Sequence, residues 1–156
     1  MEEKQDSFLE IAEKMVIYQL RGNWLAISKI YNDMASEQGG TMSMAFILLT
    51  INTEKGTPVT KIAPRMGMEP NSLSRILKSM EKKGLIYKRK SKSDKRKVYM
   101  CLTDYGITMK EFTTKAVFSL ESAIQDDVSE RDLEGFFKVA KQIPKALQQL
   151  ASANQE

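Results

Sequence analysis

The 156 residues carry 24 Lys and Arg against 20 Asp and Glu, a formal charge of +4, and 42% of them are apolar; this is enough for one packed domain and excludes a disordered segment or a disulfide-stapled miniature. A single cysteine, Cys101, cannot close an internal disulfide, and the absence of histidine removes the usual general base, the usual metal ligand and any dyad built on imidazole, so an enzyme, a metal centre or a bound cofactor is not expected. The apolar run AFILL, even with the Met44 before it, falls far short of the roughly 20 residues a bilayer span needs, and the acidic start MEEKQDSFLE is unlike a secretory leader, which points to a cytoplasmic address.

From Asp6 to Glu37 the apolar residues Phe8, Ile11, Met15, Tyr18, Trp24, Leu25, Ile30, Tyr31 and Met34 recur at three- to four-residue steps, ending at Gly39-Gly40. That period predicts a long helix, eased or kinked at Gly22. Thr41 or Ser43 can cap a second helix bearing Met44, Phe46, Ile47, Leu48 and Ile51, apolar enough to be buried and stopped at Lys55-Gly56. Thr57-Pro58 reads as an N-cap followed by proline at the first helical position, opening a third helix through Met66 with Gly67 as its turn. Glu69-Pro70 repeats the device for a fourth helix, Pro70 to Lys83, terminated by Gly84.

On that fourth helix Leu73, Ile76, Leu77 and Met80 share one face, leaving Asn71, Ser72, Ser74, Arg75 and Lys78 on or beside the other. One side packs and the other is free to enter a groove. After Gly84, Leu85-Ile86-Tyr87 and Val98 to Leu102 are strand-favouring, and SKSDKRK between them cannot be buried, so a hairpin with a basic tip is expected. Thr103-Asp104 caps a helix carrying Met109, Phe112, Val117, Leu120 and Ile124 to about Asp127. Ser129-Glu130-Arg131-Asp132 fits the start of a last helix bearing Leu133, Phe136, Phe137, Ala140, Ile143, Leu147 and Leu150, with a kink expected at Pro144.

The charge is divided along the chain. Pro58 to Lys97 holds 13 Lys and Arg against 3 acidic residues, a net +10, whereas the remainder holds 11 against 17, a net −6. Such a basic face on an acidic body suits a phosphate polyanion. The fold class expected is mainly α with a small β-hairpin wing: a winged helix-turn-helix over residues 41–103, within a single domain spanning 1–156. Long helices at 6–37 and 104–150 would leave too much apolar surface on a monomer, so they are expected to pair in a homodimer that presents two reading helices to a pseudo-palindromic operator in double-stranded DNA. The alternative from another class is a winged-helix interaction module whose basic surface meets an acidic protein or RNA. Salt dependence and competition by random duplex separate the two.

Gly84-Leu85, the wing sequence Asp94-Lys95-Arg96, and Leu102-Thr103 followed by Gly106 together resemble, in type and spacing, the MarR (multiple-antibiotic-resistance regulator) family of dimeric winged-helix transcription regulators. The resemblance covers nearly the whole chain and implies a sequence-specific regulator, a repressor more than an activator. It also implies that Asn71, Ser72, Ser74, Arg75 and Lys78 face the major groove, that Arg96 reaches the minor groove or its phosphates with the Asp94 carboxylate holding that arginine or the loop in position, unless Asp94 is a simple turn residue, and that Lys61, Arg89 and Lys92 touch phosphates. Two positions depart from the family pattern: Pro64, which lacks a donor and should delay or bend the third helix, and Glu69, where a shorter capping residue is commoner.

Many relatives release DNA when a small aromatic or phenolic acid binds between the dimer helices and the reading unit. By that resemblance Tyr18, Trp24, Tyr31, Met44, Phe46, Met109 and Phe112 could line an effector cavity, although such a stripe is also what ordinary core looks like. The family's peroxide sensors use a cysteine near the N-terminus, where this chain has none; Cys101, among Met100 and Leu102 in the second wing strand, is expected to be an inert buried thiol.

Overall fold

The structure, a computed structural model, describes residues 8–91, 94 and 96–153. Residues 8–12 are helical, the backbone is extended at Met15 (φ −88°, ψ 132°), and helix α1 then runs from Val16 to Glu37. The interruption expected at Gly22 therefore falls at Met15. A mid-helix glycine costs about 1 kcal/mol relative to alanine without forcing a bend, and α1 continues through it. At the break the Gln19 side chain donates to the Glu13 carbonyl at 2.6 Å, replacing a lost backbone donor; the residue types at 13–15 do not explain why the chain breaks there.

Thr41 caps α2 (Met42–Thr50), its Oγ1 accepting the Met44 N–H at 3.3 Å. This helix ends at Thr50, short of the stop expected at Lys55-Gly56. Asn52 takes over: its Oδ1 accepts from the N–H groups of Glu54 (3.1 Å) and Lys55 (2.7 Å) in a turn that competes with helix.

Thr57–Pro58 does not open the third helix but forms strand β1, and α3 follows as Val59–Met66. A residue before proline is pushed out of the helical region, and the Thr57 hydroxyl is already engaged, accepting from Asn52 N–H (2.9 Å) and donating to the Thr50 carbonyl (3.2 Å). Pro64 lies inside α3 without delaying its start, although the Thr60 carbonyl loses the donor that the residue four positions on would normally supply. Helix α4 spans Pro70–Lys82; Glu69 makes no side-chain cap bond, so Pro70 sets its start. Both α3 and α4 close on a glycine in the left-handed region, Gly67 (φ 59°) and Gly84 (φ 71°), with Met68 N–H reaching the Ala63 carbonyl and Leu85 N–H the Met80 carbonyl.

Strands β2 (Ile86–Lys90) and β3 (Val98–Leu102) pair antiparallel with Ile86 opposite Leu102 and Lys90 opposite Val98, and β1 adds on the far side of β3, giving the order β1-β3-β2. Proline is tolerated in β1 because that strand is an edge. Helix α5 (Asp104–Gln125) starts where Thr103 Oγ1 accepts the Gly106 N–H at 3.0 Å. Helix α6 (Glu130–Ala153) starts where Ser129 Oγ accepts the Asp132 N–H at 3.2 Å, and it runs on through Pro144.

The core gathers Met44, Ile47 and Leu48 of α2 with Ile51 just past its end, Ile62 of α3, Leu73, Leu77 and Met80 of α4, and Leu85, Ile86, Met100 and Leu102 around the wing. Two compact units divide at Thr113/Thr114, within α5. In the first, α1 keeps Val16, Ile17, Tyr18, Leu20, Trp24 and Leu25 exposed; in the second, α6 has no buried residue and exposes Phe136, Phe137, Leu147 and Leu150. No helix among the described residues is long and apolar enough to cross a membrane.

Ile62 is fully buried and its neighbour Lys61 exposed. Ile62→Ala should lower the unfolding free energy by about 2–5 kcal/mol, whereas Lys61→Ala should stay within about 0.5 kcal/mol. Urea midpoints for the two variants check this; equal shifts would contradict the core assignment.

Candidate nucleic-acid interface

Helix α4 is divided along its length. Leu73, Leu77 and Met80 are buried, Ile76 is half-buried, and Asn71, Ser72, Ser74, Arg75 and Lys78 are all exposed. Among the described residues neither Arg75 nor Lys78 has an ion-pair or hydrogen-bond partner, and the same is true of Lys61 on α3. Their hydrogen-bonding capacity is therefore free for an incoming acceptor.

The wing beside it is built by Asp94. Its Oδ1 accepts the Arg96 N–H at 3.1 Å and lies 3.5 Å from Arg96 Nε, while Lys97 Nζ stands 4.0 Å from Oδ2. Ser91 Oγ in turn accepts the Asp94 N–H at 3.3 Å, and the tip closes with Ser91 N–H on the Lys97 carbonyl. Asp94 holds the turn and lies beside the Arg96 side chain, though not as a bidentate pair. One oxygen serves both the backbone and the side chain of Arg96, because the acid lies only two residues away and must also close the turn. The Arg96 side chain is 93% exposed. Lys92 lies outside the described residues.

Other cations in the basic segment are committed to the protein itself. Arg89 donates to the Lys55 carbonyl, and its guanidinium lies 5.7 Å from the ring centroid of Tyr99, its cross-strand partner. Lys88 pairs with Glu81 of α4 at 2.7 Å, Arg65 donates to the Thr50 carbonyl at 3.1 Å and Lys83 to the Gly39 carbonyl at 2.8 Å. On α5, Lys110 Nζ donates to the Ile51 carbonyl, and desolvation by burial lowers its pKa from the usual lysine value. These lysines and arginines fasten loops and helix ends while still adding to the local positive field.

The model of the MarR family matches residues 41–98, from the cap of α2 to the first residue of β3. That stretch carries a winged helix-turn-helix of the MarR type. The regulator MgrA of Staphylococcus aureus is 29% identical over 108 residues, covering 67% of this chain and 74% of that protein. The crystal structure of an S. aureus MepR–DNA complex matches with a TM-score of 0.77 at 19% identity, over 85% of this chain and 98% of that one. CouR of Rhodococcus jostii RHA1, bound to p-coumaroyl-CoA, matches with a TM-score of 0.75 at 14% identity over 85% and 93%. These relatives are similar in fold, and the curated one is a regulator, not an enzyme.

The seven residues named for an effector cavity do not share one environment. Met44 is in the core and Met109 packs against it; Tyr31 and Phe46 meet edge to face at 5.4 Å; Tyr18, Trp24 and Phe112 are exposed. A cavity of about 400 Å³ lies elsewhere, between α3, α4 and the wing strands, lined by Val59, Ala63, Pro64, Leu73, Leu77, Lys88 and Met100 among others, and by none of the seven. Sequence reasoning also missed Tyr99 as the seat of Arg89 and Glu81 as the partner of Lys88. The first could have been found from the strand register; the second depends on where a helix end meets a strand, which no local pattern encodes.

Asp94→Ala should leave binding to random duplex unchanged or slightly tighter, because an acid is removed, while lowering the preference for a specific site by about 1 kcal/mol, roughly fivefold. Competition titrations of a specific against a random duplex check this; an unaltered preference would show that Asp94 is only a turn residue.

Proposed function

We propose that the protein is a cytoplasmic homodimeric repressor that reads a pseudo-palindromic operator with one α4 helix and one wing per half-site. The observation that carries this reading is the exposed face of α4, where Asn71, Ser72, Ser74, Arg75 and Lys78 stand outward with Arg75 and Lys78 unpaired among the described residues, beside a wing whose tip exposes Arg96. In it Asn71, Ser72, Ser74, Arg75 and Lys78 enter the major groove, Arg96 reaches the minor groove or its phosphates, and Lys61 supplies affinity without sequence information. Arg89, tied to the Lys55 carbonyl, acts on phosphates through its field.

The dimer is supported by the apolar side chains that α1 and α6 leave in solvent, since exposed patches of this kind mark association surfaces. Residues 41–103 then form the reading unit and residues 6–37 and 104–150 the pairing region of one domain. MepR in complex with DNA and CouR bound to p-coumaroyl-CoA support DNA and a small aromatic effector as the two further partners.

Arg75→Ala should weaken a specific duplex by about 1–3 kcal/mol while sparing random duplex, and Lys61→Ala should weaken both alike and reduce the salt slope by about 1. Anisotropy titrations over a salt series, with the mass in solution taken by light scattering, test the proposal. Equal losses for the two variants would remove the division of roles, a monomer mass would remove the dimer, and salt-independent binding would favour the interaction-module alternative.

A further inference from the structure

Gly106, buried in the first turn of α5, has no room for a side chain. A Cβ placed there would lie 1.9 Å from the Leu85 carbonyl oxygen and 3.0 Å from its carbon. The glycine is not required by backbone conformation, because the positive-φ glycines are Gly39, Gly56, Gly67 and Gly84. It is required by proximity alone, and the obstructing atoms are backbone, which cannot swing aside as a flexible side chain would.

Leu85 is the residue on which α4 closes and from which β2 departs. The same junction is bonded from α5's side by Thr103. Its Oγ1 donates to the Gly84 carbonyl at 2.6 Å and accepts the Gly106 N–H at 3.0 Å, while its own N–H donates to the Leu85 carbonyl at 3.2 Å. The end of the reading helix, the root of the wing and the start of α5 thus meet at one hydroxyl and one missing Cβ.

We propose that Gly106 and Thr103 are positioning residues for DNA reading, fixing the direction in which α4 and the wing leave α5. This rests on the DNA-binding function proposed above. Adding a methyl group at Gly106 must move the Leu85 backbone away from α5 by an ångström or more. Base-edge hydrogen bonds tolerate only a few tenths of an ångström, whereas attraction to phosphates decays over about 8–10 Å. The displacement therefore acts on sequence preference and leaves charge-driven binding in place.

The test uses the full chain as wild type, Gly106→Ala, Thr103→Val and Thr103→Ser, titrated against a duplex that the wild type selects from a random pool and against random duplex, with helicity checked by circular dichroism. Expected are a loss of about tenfold or more on the selected duplex, equivalent to about 1.4 kcal/mol, little change on random duplex, and an unaltered salt slope for Gly106→Ala. Thr103→Val should follow it and Thr103→Ser should resemble wild type, since only the hydroxyl is needed. A folded Gly106→Ala that keeps the wild-type preference, or that weakens both duplexes equally, overturns the proposal. Should Gly106→Ala not fold, the threonine pair decides: Thr103→Val indistinguishable from Thr103→Ser overturns it. Wild type that prefers no duplex would instead overturn the DNA-reading function itself.

Discussion

Leu73, Leu77 and Met80 lie in one sealed cluster with Ile47, Ile62 and Met100, and that apolar contact is what holds α4 with its polar residues outward. Burying each such side chain is worth about 1.5–3 kcal/mol, whereas Asn71, Ser72, Ser74, Arg75 and Lys78 gain nothing from the core. Successive helix residues are about 100° apart, so turning α4 by one position would expose the leucines and press a charged guanidinium toward the interior. The reading face is outward because the inner face admits no other orientation, and the glycine closures at Gly67 and Gly84 confine the helix to the length over which this holds.

The basic segment performs two tasks with the same residue types. Arg65, Lys83, Lys88 and Arg89 are held by carbonyls, a carboxylate or an aromatic ring of the protein, while Lys61, Arg75 and Lys78 have no such partner among the described residues. The first group braces the frame, and the second is left available to an incoming acceptor, which in the proposed function is DNA. A net +10 over forty residues supplies long-range attraction whichever group a charge belongs to, but sequence preference depends on the few donors that are free and aimed. Asp94 and the Thr103–Gly106 joint bear on aim, one at the tip of the wing and one at its root.

The helix order, the divided face of α4, the hairpin wing and the caps at Thr41 and Thr103 were all legible in the sequence, because each is set by local period or local hydrogen bonding. What was not legible has non-local causes. Thr57-Pro58 carries a helix-start signature, yet Thr57 is claimed by Asn52 and Thr50, and a strand results. The helix stop at Lys55-Gly56 was placed too late, since the helix ends at Thr50 and Asn52 already holds the turn that follows. The family resemblance implies a phosphate ligand at Arg89; only the register shows that Tyr99 lies opposite. The aromatic residues grouped by spacing separate once packing sorts them into core, edge and surface.

The proposed function accounts together for the apolar side chains left in solvent on α1 and on α6 and for the free donors on α4: in it a second copy covers the former and duplex DNA the latter. Selection of bound duplexes from a random pool at near-physiological salt tests both together. The dimeric reading predicts enrichment of an inverted repeat whose half-site centres lie about 10 base pairs apart. Enrichment of a single half-site, or of no sequence at all, would contradict it.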